Sequence, residues 1–198
     1  ELKESLGGTV TTITVGGPEN DPIIRKALAI GADNAVRVNG ENTDAFYVAK
    51  QIAEYAKSNG YDLVLTGKET INYNGAQVGA MIAEMMDQPF VSVVSKLDVE
   101  GTTATIERDV QGGVEVVTCD LPVVMSCAKG MAEQRIPNMR GIMAARSKSL
   151  EVIEPTEAAH LTQVVEYQLP AEKGSVKLID PENMDELVAL LHNEAKVI

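Results

Sequence analysis

Residues Tyr61–Met86, YDLVLTGKETINYNGAQVGAMIAEMM, hold the densest chemical signal in the chain. Asp62-Leu63-Val64-Leu65-Thr66 is a short apolar run ending at Gly67, and Ala76–Ala83 resumes helical spacing. Between them lies a polar loop rich in Gly and Asn, so the spacing predicts a strand over Tyr61–Thr66 and a helix over Gly75–Met86. Such a loop delivers unpaired backbone N–H groups and the positive end of a helix dipole to one spot. That is chemistry for an anion, and a phosphate suits it. The pattern is neither the P-loop spacing nor GxGxxG, and an ordinary strand-to-helix turn shares it. Lys68 follows the strand and can reach a phosphate or extend into water.

The elements around this loop alternate. Thr9–Val15 reads as a strand, Asp21-Pro22 opens a helix through Ile30, and Asn34–Val38 is a second strand. Asp44–Ser58 reads as a helix with Phe46, Val48, Ala49, Ile52, Ala53 and Ala56 inward. Strand–helix alternation implies right-handed crossovers and a parallel sheet covered on both faces. After Pro89 the runs Val91–Leu97, Thr103–Val110 and Val114–Cys119 are separated by hairpin signals, and Leu121–Met125 is a further buried strand. Lys129–Arg146 reads as irregular. The remainder is extended until Asp180-Pro181 opens a last helix. The expectation is a three-layer α/β domain over residues 1–150, with a mainly parallel sheet and an antiparallel hairpin extension. Residues 151–198 form a C-terminal arm and helix, too small to build a core alone. Glu1–Leu6 resembles the last turns of a helix capped by Gly7-Gly8, so an N-terminal piece is expected to be missing.

Composition removes several function classes. A net charge of −12 argues against nucleic acid and against an anionic membrane surface. No apolar run approaches the length of a membrane span. Hydrophobic residues make up 44% of the 198, but only 4% are aromatic, so the core must be aliphatic. Cys119 and Cys127 lack CxxC spacing and read as buried thiols in a reducing, cytoplasmic compartment. His160 and His192 are too far apart to suggest a metal pair and read as solvated. No nucleophile–base arrangement of hydrolytic type stands out.

Four stretches together resemble the electron-transfer flavoprotein β subunit. They are Arg25–Asp33, Gly67–Gly79, Gly101–Gly113 with its Arg108-Asp109, and Arg135–Arg146 with Gly141-Ile142-Met143. The resemblance runs in order to about Glu154 and continues more loosely into the arm. It implies an adenine nucleotide α-hydrolase-like fold and a heterodimeric electron carrier, not an enzyme in its own right. An α subunit would hold redox-active FAD, and the β subunit would bury a structural AMP or, in electron-bifurcating members, a second FAD. By position, the resemblance places the nucleotide against Val15 and Gly16 and in the loop of Gly67, Lys68, Asn72, Asn74, Gly75, Ala76, Gln77 and Val78. Gln77-Val78-Gly79 leans towards the bifurcating branch, while the Asp-Gly-Asp usual there is missing, and the choice stays open. Asn72 and Asn74 stand where acidic residues are common, and removing that charge favours an anion.

The resemblance also implies a loop that docks donor dehydrogenases such as acyl-CoA dehydrogenase. That loop contains Met131 as apolar anchor, with Glu133 and Arg135 beside it. Met131 has charged and small neighbours, Lys129, Gly130, Ala132 and Glu133, and is therefore expected to be exposed. A quinone reductase or other acceptor would take the electrons on, and the arm would wrap the α subunit. An adenine-nucleotide sensor of the stress-protein kind shares this architecture and is the competing reading.

Overall fold

Short β-branched runs and amphipathic helices alternate along the computed structural model, which describes residues 1–198. In chain order the elements of the first part are α1 (Leu2–Leu6), β1 (Thr11–Val15), α2 (Asp21–Ile30), β2 (Asn34–Val38), α3 (Ala45–Asn59), β3 (Leu63–Gly67) and α4 (Val78–Met86). They continue as β4 (Phe90–Glu100), β5 (Thr103–Val110), β6 (Gly113–Asp120), β7 (Val123–Cys127), α5 (Met139–Ala145) and β8 (Leu150–Ile153). The fold is α/β, with parallel and mixed sheets.

The strands form two sheets where one was expected. β1, β2 and β8 make a three-stranded parallel sheet. The second runs in the order β3-β7-β4-β5-β6, parallel over its first three strands and antiparallel from β4 to β6. Helices cover both faces of the first sheet. Tyr47, Val48 and Ile52 of α3 pack on Val15 and Val38, while Ile24 and Leu28 of α2 join Ala35 and Ala145 on the other side. Against the second sheet, Ile82, Ala83 and Met86 of α4 meet Val124 and the alanines of α3.

Local chemistry explains most element ends. The Asp44 carboxylate accepts from the Tyr47 N–H at 2.7 Å, capping α3, and Gly60 ends that helix at φ 65°, a left-handed conformation that suits glycine. Four expectations shift. Asp21 is the first residue of α2 and caps nothing, because its Oδ1 accepts from the Arg37 Nε at 2.8 Å. The helix after the polar loop begins at Val78, three residues later than Gly75, because Asn74 takes a positive φ of 58°. The stretch read as irregular contains α5, whose N-cap Asn138 accepts from the Gly141 N–H at 2.8 Å. Leu150–Ile153 is the β8 strand, paired with β2.

The chain divides into compact units Glu1–Val164 and Val165–Ile198, and residues 154–164 follow β8 within the first. Helix α3 holds the intervening segment. Gln51 grips Thr156 from both sides, donating to its carbonyl at 2.9 Å and accepting from its N–H at 2.7 Å. Asp44 accepts from the Leu161 and Thr162 N–H groups and from the Thr162 hydroxyl, at 3.1, 2.7 and 2.6 Å. His160 is exposed, as expected, and one face of its ring stacks on Tyr47 with ring centroids 4.4 Å apart. In the second unit, α6 (Met184–Ala189) starts after Asn183, whose side chain accepts from the Glu186 N–H at 3.4 Å. The Asp180-Pro181 pair forms a turn ahead of that helix and does not open it. Val165, Tyr167 and Leu169 alternate along an extended stretch and are 97%, 84% and 94% exposed.

Candidate functional site

The polar loop sits at the carboxyl end of β3 and leads directly into α4. Thr70 closes it. Its N–H donates to the Gly75 carbonyl at 2.9 Å, its carbonyl accepts from Asn74 at 3.0 Å, and its hydroxyl accepts from the Gly75 N–H at 3.1 Å. A Cβ on Gly75 would lie 2.5 Å from the Tyr73 ring and 3.3 Å from the Thr70 hydroxyl, so a side chain there would displace the exposed Tyr73 ring. Asn72, Asn74, Ala76 and Gln77 are exposed, and Gly75 and Val78 are half-buried. Gln77 stands at the N-cap of α4 without a side-chain bond to the helix, which leaves the first-turn donors to solvent or a ligand. Lys68, the loop's one cation, is exposed and lies 3.1 Å from Glu69. This arrangement can hold an anion through backbone N–H groups, with the ion-paired Lys68 beside it.

Val15 and Gly16 are both buried at the carboxyl end of β1, in the other sheet. Gly16 donates to the Val38 carbonyl at 3.0 Å and its own carbonyl accepts from Arg37 at 3.1 Å. The same guanidinium donates to Asp21 and, at 3.1 Å, to the Asn39 side chain. Sequence reasoning missed Arg37. Its signal was a lone charge in the apolar strand Asn34-Ala35-Val36-Arg37-Val38, since a charge in a buried strand needs partners. A Cβ on Gly16 would meet the Asn20 amide at 2.5 Å, so close approach explains this glycine too. Two surface clefts of about 310 and 300 Å³ are lined by neither Gly16 nor any residue of the loop.

The second candidate stretch lies after β7. Met131 was expected to be exposed. It is half-buried and packs against the Val91, Val94, Val123 and Met125 cluster of β4 and β7, where an unbranched thioether suits an irregular apolar surface. The residues that point outward are Ile136, 85% exposed, and Met139, 73% exposed. Glu133 is exposed and without an ion pair. Arg135 makes a two-pronged pair with Glu4, at 2.6 and 2.8 Å, which ties α1 to this loop. The Arg135 fork holds the Glu4 carboxyl down at about 2. Cys119 and Cys127 are free and half-buried, and burial pushes both thiols up. No helix is long and apolar enough to cross a membrane.

Polar loops gathered at the carboxyl ends of parallel strands define a class of α/β proteins that bind ligands there. Residues 1–158 match the family model described as the electron transfer flavoprotein domain. The electron transfer flavoprotein subunit beta of Bacillus subtilis is 38% identical over 212 residues, covering 100% of this chain and 82% of that protein. The corresponding subunit of Homo sapiens is 30% identical over 207 residues, covering 99% and 80%. That of Thermoanaerobacterium thermosaccharolyticum is 33% identical over 150 residues, covering 74% and 58%. The chain belongs to the electron transfer flavoprotein family, among its β subunits.

Proposed function

We propose that this chain is the β half of a heterodimeric electron carrier. Its α partner would hold FAD and pass electrons from donor dehydrogenases to a quinone reductase or other acceptor in a reducing compartment such as the cytoplasm. The observation that carries this reading is a likeness to named β subunits along the whole chain, through both candidate loops. An adenine nucleotide would lie with its phosphate on the Gly67–Val78 loop and its base or ribose near Val15-Gly16. The Thr70 staple, the glycine at 75 and the uncapped start of α4 fit a phosphate, and Lys68 adds charge once Glu69 releases it. FAD, when bound, supplies the redox chemistry. This chain's residues bind and orient. AMP is the favoured ligand of the loop, and Gln77-Val78-Gly79 keeps a second FAD as the alternative.

Co-expression with the α subunit, denaturation and quantification of released nucleotides test the proposal. One FAD and one AMP per heterodimer are expected. Two FAD and no AMP would mean a bifurcating protein. Failure to copurify with any α subunit would leave the nucleotide-sensor reading.

The donor-docking role moves from Met131 to its exposed neighbours. An anchor must be free to enter a partner's pocket; Met131 is half-buried, and Ile136 is the most exposed apolar side chain of this stretch. Ile136→Asp is expected to slow reduction by the donor dehydrogenase about tenfold or more, leaving the heterodimer and its nucleotides in place. Met131→Asp should instead lower the melting temperature, because it puts a charge against the second sheet's core. Unchanged donor kinetics for Ile136→Asp would refute the anchor.

A further inference from the structure

Asn-Gly is the pair at which a chain can attack itself, because glycine has no side chain to shield its nitrogen from the asparagine's amide carbon. Three such pairs occur here, Asn39-Gly40, Asn59-Gly60 and Asn74-Gly75. Reaction requires a side chain that can swing and a backbone that can turn until the asparagine Cγ meets the next nitrogen.

Two of the pairs are held against both motions. Asn59 is the last residue of α3, and its Nδ2 donates to the Tyr55 carbonyl at 2.8 Å while the Gly60 N–H donates to the Ala56 carbonyl at 3.0 Å. Asn39 follows β2, and its Oδ1 accepts from the buried Arg37 at 3.1 Å. The Asn39 N–H donates to Ile153 and the Gly40 N–H to Val38, each at 2.9 Å. Gly40 is also packed so closely that a Cβ there would stand 2.7 Å from the Tyr47 hydroxyl. Asn74 differs. It is exposed in the loop between β3 and α4, and its φ is 58°. Its side-chain amide makes no hydrogen bond within the protein. The Gly75 N–H rests on a hydroxyl, that of Thr70, which can rotate away as no strand or helix carbonyl can. A loop fastened by one residue's side chain and backbone opens far more readily than an element of the core.

We infer that Asn74 is a site of spontaneous deamidation, the one Asn-Gly pair that the fold leaves free to react. The Gly75 nitrogen loses its proton to base and bonds to the Asn74 Cγ. The Cγ–Nδ2 bond breaks and Nδ2 leaves as ammonia, taking up a proton in exchange. Water then opens the cyclic imide at either carbonyl, to give aspartate or isoaspartate. Either product places a carboxylate in the loop. Isoaspartate also adds a methylene to the main chain before Gly75, which carries the Gly75 N–H away from Thr70. Where the loop holds a phosphate, as the proposed function has it, both changes oppose binding, and a bound nucleotide would in turn hold the loop shut against the reaction.

Peptide mass spectrometry tests this on the full-length protein, freed of nucleotide and aged in warm, mildly alkaline buffer. The peptide containing Asn74 should exchange NH2 for OH about tenfold or more faster than those containing Asn39 and Asn59. Equal rates at all three pairs, or an unchanged Asn74 peptide, would overturn the inference. Asn74→Ala should abolish the shift in that peptide. Persistence of the shift would assign it to Asn72 and overturn the inference equally. Added AMP should slow the change at Asn74 about fivefold or more and leave the other two pairs unaffected. Fast change at Asn74 that AMP does not slow would uphold the modification site and overturn the nucleotide position proposed for the loop.

Discussion

Asp44→Ala is expected to cost about 3–4 kcal/mol, the sum of a lost helix cap and of three part-buried hydrogen bonds to a charged acceptor. The carboxylate is buried and accepts four hydrogen bonds, one from the first turn of α3 and three from Leu161 and Thr162. Alanine removes all four acceptor contacts at once. In a protein of this size the loss corresponds to a melting temperature lower by roughly 10 °C. Asp44→Asn should cost less, about 1–2 kcal/mol, because one oxygen remains while the new NH2 faces donors. The pH dependence has a definite sign. Burial pushes the Asp44 carboxyl up, but the Thr162 hydroxyl and the N–H groups of Tyr47, Thr162 and Leu161 outweigh it, so the folded carboxyl lies below its ordinary range. Its contribution is therefore complete above the unfolded carboxylate range and is lost as pH falls through the folded value. The gap between wild type and Asp44→Ala in thermal unfolding should be flat near neutrality and should narrow in acid. A variant as stable as wild type at pH 7 would show that the clamp contributes nothing. Limited proteolysis adds a local readout, since loss of Asp44 should open residues 154–164 to cleavage before the sheets.

That clamp also marks where sequence reasoning reaches its limit. Asp44 was legible as the start of a helix, because capping is a contact between residues three apart. Its grip on Leu161 and Thr162 was not, because those partners lie 117 and 118 positions away and no local pattern announces them. The same holds for β8, four residues whose strand identity comes from pairing with β2. Alternation of strand and helix was readable through α4 because each element carries its own periodicity. The split into two sheets was not, since periodicity says which residues form a strand and nothing about its neighbours. At the candidate site, glycine and asparagine marked the loop correctly as a turn into a helix, whereas the left-handed Asn74 delayed the helix beyond any propensity signal. Met131 was misplaced for a related reason. Charged and small neighbours in sequence suggested water, but its actual neighbours are Val91 and Val94, some forty residues away in sequence and adjacent in space. Exposure of Ile136, next to a proline, was equally invisible from its type.

Gly79→Val should lower stability by about 3 kcal/mol and loosen the Gly67–Val78 loop together, because one glycine governs both. Gly79 is buried in the first turn of α4, and a Cβ there would stand 2.7 Å from the Thr66 hydroxyl and 2.9 Å from the Phe90 ring. Neither neighbour can yield cheaply. Thr66 is tethered to the Met125 carbonyl at 3.2 Å, and Phe90 packs against the α3–α4 cluster. Helix propensity pulls the other way, since replacing glycine by alanine in a helix gains up to about 1 kcal/mol. For alanine the two effects are comparable and the net loss should be small. For valine the extra methyl groups decide the outcome, and α4 must lift from β3 and β4. Its N-terminus carries Gln77 and Val78, so the donors offered to a phosphate move with it. On the proposed reading, with AMP on this loop and FAD on an α partner, the expected result is a heterodimer that keeps its FAD but loses most of its AMP during purification, with thermal unfolding shifted down. Ala80→Val is the control: that residue is exposed in the same turn, so it should pay only a propensity cost of about 0.5 kcal/mol and keep its nucleotide. If Gly79→Val loses stability while retaining AMP in full, the loop does not depend on the seating of α4. Its donors would then have to be held by the Thr70 staple alone.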